Sequence, residues 1–103
     1  MSEFYDRNGA PMSLEDWARK IGDRDYKRVA ETTTPSGHWV STVWFGLDHS
    51  FGDATPLIFE TMVFPPRKDG EKRSSSELDA RRYSTEEDAK AGHAEMVAKW
   101  SKP

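Results

Sequence analysis

The sequence predicts an α+β fold: a three- to four-stranded antiparallel β-meander with a short N-terminal helix and a C-terminal helix packed on the sheet. Three observations point there. Residues 38–47 and 57–64 are rich in Trp, Phe, Val, Ile and Thr and flank a polar loop, the pattern of a β-hairpin. Apolar residues recur at helical spacing from Leu14 to Ile21 and again from Ala89 to Trp100. Turn signals, Pro35-Ser36-Gly37 and Pro65-Pro66, separate these runs from their neighbours.

The elements follow in order. Near the N-terminus, Asn8-Gly9 signals a turn, and Phe4 with Tyr5 can anchor a short edge strand. Ser13 is a good N-cap, with Asp16 three positions on. Leu14, Trp17, Ala18 and Ile21 then form one apolar stripe, and Gly22 stops the helix. Asp23 to Asp25 make a polar turn, and residues 26–33 read as a first strand. The hairpin supplies the second and third strands. The polar segment 66–76 holds no apolar anchor and reads as a mobile loop. Residues 78–83 form a short fourth strand. Ser84 with Glu87 makes a capping box for the last helix, whose stripe is Ala89, Gly92, His93, Met96, Val97 and Trp100. Gly92 allows that helix to approach the sheet closely.

The 103 residues make one domain, 1–103. Hydrophobic residues are 35% and charged residues 32%, so the core is thin; four Trp, five Phe and three Tyr supply large side chains to fill it. The absence of Cys excludes disulfides and thiolate zinc sites. No run approaches the roughly 20 apolar residues of a membrane span, and M-S-E-F-Y-D-R lacks the pattern of a secretory signal. The expected location is the bacterial cytoplasm, with no membrane partner. A net charge of −3 argues against nucleic-acid binding through phosphate contacts.

Pairing Val43 with Thr61, Phe45 with Phe59 and Leu47 with Leu57 puts apolar rows on one sheet face, with Trp39 extending it. That is the face expected beneath the helices. The other face then carries Val40, Thr42, Trp44, Ile58, Glu60, Met62 and Phe64. It is too apolar to be left in water, so a helix, a second copy in a homodimer, or a foreign protein covers it.

Candidate chemistry is sparse. Asp48 and His49 sit together in the hairpin loop, where a carboxylate beside an imidazole can serve as a general base. Neighbouring residues of a strand point to opposite faces, however, and Asp48 suits a loop-capping role. His93 lies on an apolar helix face and reads as a core histidine with one hydrogen bond to the sheet. Asp48, His49, Glu60 and His93 include metal-ligating types, but no ligand spacing supports a metal site. No nucleophile elbow or phosphate loop is present, so no catalytic residue, metal or other cofactor is expected. Arg82 can pair with Glu60 if the fourth strand neighbours the third.

The segments Y-D-R-N-G-A-P-M-S, D-Y-K-R-V-A-E-T-T, V-S-T-V-W-F-G-L-D-H-S-F-G, P-L-I-F-E-T-M-V-F and R-Y-S-T-E-E-D-A-K-A-G-H-A-E-M-V are the most distinctive. Together they cover nearly the whole chain, which resembles small uncharacterised proteins encoded by bacteriophages and prophages, notably of actinobacteria. The resemblance implies an origin and no mechanism. By analogy with that class, the expected function is a non-enzymatic protein that binds a host or phage protein. Its surface would be the aromatic and Met face (Trp44, Glu60, Met62, Phe64) or the hairpin loop from Asp48 to Asp53, with His49 and Phe51. The alternative is a small enzyme or ligand-binding or metal-binding protein using Asp48, His49, Glu60 and His93, with Arg82 as a possible contributor.

Overall fold

The computed structural model describes residues 3–48, 55–68, 70–72 and 76–102. Among them, four strands pair antiparallel in chain order: β1 (Arg28–Thr33), β2 (Trp39–Trp44), β3 (Phe59–Phe64) and β4 (Asp79–Tyr83). Three helices join them: α1 (Leu14–Ile21), α2 (Arg24–Lys27) and α3 (Glu86–Trp100). The fold is the expected α+β meander, with the fourth strand in place. No helix among the described residues is long and apolar enough to cross a membrane.

Local chemistry sets the boundaries. The Ser13 hydroxyl accepts from the Asp16 N–H at 3.1 Å and starts α1. Asp23 caps a further helical turn, accepting from the N–H groups of Asp25 and Tyr26, both at 3.1 Å. Tyr26 and Lys27 therefore belong to α2, and β1 starts two residues later than expected. α3 also starts one residue late. Thr85, rather than Ser84, is its N-cap and accepts from the Asp88 N–H at 3.1 Å. Of the 66–76 segment, the described residues form no helix or strand; the Glu71 N–H donates to the Lys68 carbonyl at 3.0 Å.

The expected hairpin register is corrected. Thr42 opposes Thr61, Val43 opposes Glu60 and Trp44 opposes Phe59, one residue away from the expected pairs. The cause lies at the end of β2. The N–H groups of Phe45 and Gly46 both donate to the Ile58 carbonyl, at 3.0 and 3.2 Å, so two residues of one strand face one of the other. Gly46 has φ +74°, and a Cβ there would lie 2.4 Å from the Trp44 ring. This bulge shifts β2 by one residue and reverses which of its side chains face α3.

α3 contacts all four strands and lies over one face of the sheet. Its buried residues are Ala89, Gly92, His93 and Met96, as the stripe predicted. Beneath them lie Val40, Trp44, Phe59 and Val63, each 0% exposed. Gly92 is essential to the fit, because a Cβ there would lie 2.1–2.2 Å from the Tyr83 side chain. α1, Tyr26 and the N-terminal arm continue this core beyond Trp44. The Trp44 indole donates to the Tyr5 carbonyl at 2.9 Å and meets the Tyr26 ring edge-on at 4.9 Å. The Trp17 indole donates to the Phe45 carbonyl at 2.7 Å.

Candidate functional site

The four strands alternate, so what α3 covers defines what it leaves. Val40, Thr42 and Trp44 of β2, with Phe59, Thr61 and Val63 of β3, face the helix. Trp39, Ser41 and Val43, with Glu60, Met62 and Phe64, face the other way. No described helix lies across this second face. Trp39 stacks on Phe64 with ring centroids 5.2 Å apart, Phe64 is left 9% exposed, and Trp39, Val43 and Met62 are half-buried.

Charged groups flank this apolar strip on both sides. Toward β4, Arg82 Nε donates to the Glu60 carboxylate at 3.1 Å, the pair expected if β3 and β4 are neighbours. Glu60 keeps only 17% of its side chain exposed, so the arginine neutralises a sheltered carboxylate. Toward β1, Arg24, Lys27, Arg28 and Glu31 surround a shallow cup of about 160 Å3 whose remaining walls are Trp39, Ser41 and Val43.

The sequence candidates separate on this geometry. Glu60, Met62 and Phe64 lie on the open face as expected. Trp44 does not: it is fully buried under α3, because the bulge at Gly46 turns it inward. Trp39 and Val43, assigned from the sequence to the covered side, take its place outside. Asp48 accepts from the Leu57 N–H at 3.2 Å, the loop-capping role. His49, Phe51 and Asp53 lie outside the described residues.

His93 lies on the helix side of the sheet, away from the Glu60–Arg82 pair. It makes two hydrogen bonds rather than the expected one: Nδ1 to the Thr42 hydroxyl at 2.7 Å and Nε2 to Thr32 at 2.8 Å. Thr42 in turn bonds Thr61 at 2.5 Å. Both ring nitrogens are therefore occupied within the fold, and burial pushes the imidazole below its ordinary pKa of 6.5. The sheet thus keeps the candidate acid–base groups His93 and Glu60 apart. Among the described residues, no three His, Cys, Asp or Glu side chains are placed to share a metal ion.

Other ionisable groups secure the frame. Lys99 donates to Asp79 at 2.6 Å and the Trp100 indole does so at 3.1 Å, tying the end of α3 to β4. The Lys99 hydrogen bond chiefly holds Asp79 below its ordinary pKa, against the opposing effect of burial. At the other end of α3, burial raises the Glu86 pKa, but hydrogen bonds from Arg7 and Lys90 outweigh it and keep it low. Arg7 joins the N-terminal arm to Glu86 at 2.7 Å and to the Tyr26 carbonyl at 2.9 Å. A cavity of about 810 Å3 between the arm and α1 is lined by Asp6, Asp16 and Asp23. Each of these carboxylates already serves the local fold. Asp6 accepts from the Asn8 and Ala10 N–H groups, Asp16 pairs with Arg19, and Asp23 caps α2.

The residues that sequence reasoning missed are Trp39, Val43, Arg24, Lys27 and Arg28. One signal was present: a glycine inside a strand pattern marks a bulge, and Gly46 is such a glycine. In comparisons with protein-family models, curated proteins and solved structures, nothing matches the chain.

Proposed function

We propose that this chain is a non-catalytic interaction protein that docks a partner protein on the α3-free face of its sheet. One observation carries the reading: Trp39, Val43, Met62 and Phe64 form a continuous apolar strip with no described helix across it. Aromatic side chains and Met are the residue types enriched in protein–protein contacts. Glu60, the carboxylate between Val43 and Met62, is already paired with Arg82. An apolar surface with its charge neutralised favours a protein partner over a small charged substrate.

The resemblance to phage and prophage proteins supports a host or phage protein as the partner, met in the bacterial cytoplasm. The test uses the immobilised chain and an actinobacterial lysate, with the Trp39→Ala, Met62→Ala double variant as the comparison. The expected result is a partner retained by the parent chain and lost by the variant, whose circular dichroism is unchanged. Equal retention by both proteins would remove the face from the reading. Light scattering on the purified chain checks whether a second copy takes the face instead.

A further inference from the structure

We infer that the segment docking on this face carries an acidic residue beside its apolar ones, and that its carboxylate seats in the cup at the β1 margin. The inference rests on the docking-face reading above and names the chemistry of the partner. Four cup-lining side chains are charged: Arg24, Lys27, Arg28 and Glu31. Arg28 shares itself weakly, at 3.5 Å to Asp25 and 3.6 Å to Glu31. Arg24 and Lys27 have no carboxylate partner among the described residues. The cup therefore concentrates positive charge in a chain whose net charge is −3. Trp39 gives the cup an aromatic wall continuous with the apolar strip.

Charge placement selects among the possible occupants. The strand residues of a second copy's open face would bring Glu31 and Glu60, each already beside an arginine, so no spare carboxylate reaches the cup. A nucleic-acid strand fits no better. The cations without a close carboxylate sit at the β1 margin, Arg82 on the far side is paired with Glu60, and two strand spacings inward from β1, roughly 10 Å, the face is apolar across Met62 and Phe64. A polyphosphate crossing it would lose its countercharges at once. A protein segment with one carboxylate flanked by Leu-like or Phe-like side chains satisfies both the cup and the strip.

The experiment measures fluorescence anisotropy with three labelled probes: a ten-residue peptide alternating Glu and Leu, its Lys and Leu counterpart, and a ten-nucleotide oligo-dT. The parent chain is compared with Arg24→Ala, Lys27→Ala and with Trp39→Ala, Met62→Ala, all checked by circular dichroism. The expected result is preferential binding of the Glu peptide, weakened about tenfold by the cup variant (one lost charge-assisted contact) and weakened by added salt. Failure of the Glu peptide to bind below about 1 mM, equal binding of the Lys peptide, or preference for oligo-dT overturns the inference. So does a stable dimer in light scattering that Trp39→Ala dissociates. If the strip variant loses binding and the cup variant does not, the docking face stands and the acidic preference falls. If neither variant loses binding, both fall.

Discussion

The two faces of this sheet are made from alternate residues of the same strands, and they differ in what holds them. Under α3, Val40, Trp44, Phe59 and Val63 are wholly enclosed, and the Thr61–Thr42–His93–Thr32 chain of hydrogen bonds fixes the helix over them. On the opposite side, Trp39, Val43 and Met62 have comparable side chains but are only half-buried, and Trp39 stacks on Phe64. Residue type alone does not distinguish the fully buried Trp44 from the half-buried Trp39. The register does, and one bulge at Phe45–Gly46 sets the register of β2.

The largest expected effect tests that division directly. Trp44→Ala removes a fully buried indole together with its hydrogen bond to Tyr5, and costs about 3–5 kcal/mol of stability. Trp39→Ala removes a half-buried ring and one stacking partner, and costs about 1 kcal/mol. Urea denaturation of the two variants measures both. Equal losses would mean that the faces are not built differently.

The same division explains how much could be read from the sequence. The four strands, the first helix and the stripe of α3 were legible because apolar spacing, Ser13 and the glycine and proline stops all agree locally. The Glu60–Arg82 pair followed from strand order. The reversal of Trp39 and Trp44 did not, because alternation along 38–47 is almost as good in either phase: both sets contain a Trp and a Val. The phase is settled by Gly46, whose missing Cβ leaves room for the Trp44 ring, and by Tyr5 and Tyr26, which reach Trp44 from distant parts of the chain. The cup was equally hidden. Arg24 and Lys27 join Trp39 there only because Asp23 turns the chain into α2 before β1 begins.

A second variant sharpens the contrast at the helix-covered face. Gly92→Ala places a methyl group against the Tyr83 side chain where contacts would fall near 2.1 Å. Helix propensity favours alanine by about 1 kcal/mol, but the helix must move off the sheet to accept it, which costs about 1–3 kcal/mol or more. The expected net result is destabilisation, relieved when Tyr83→Ala is added. The Tyr83 hydroxyl is buried without a hydrogen-bond partner among the described residues, so removing it discards no bond seen there. Thermal melts of the two single variants and the double variant give the coupling. Destabilisation that persists undiminished alongside Tyr83→Ala would place the conflict elsewhere.

The smallest effect concerns pH and touches only the covered face. Unfolded His93 titrates near its ordinary pKa of 6.5, whereas burial lowers the folded value. Between those two values the unfolded chain binds a proton that the folded chain refuses. Stability is therefore full above about 6.5 and falls as the pH drops through this window, until both states are protonated. Asp79 and Glu86 act in the same direction but farther into acid, because their folded pKa values lie below the ordinary 3.8 and 4.5. Of these three groups, His93 alone changes stability between about pH 6.5 and 4.5. Urea midpoints at about pH 7.5, 6 and 5 should fall in the parent chain and stay nearly level in His93→Gln, which cannot titrate. An identical slope in the variant would move the origin of the acid sensitivity away from the threonine-bound imidazole. The open face holds no histidine among its strand residues, so binding there, followed over the same pH range, should track only the fraction of chain that is folded.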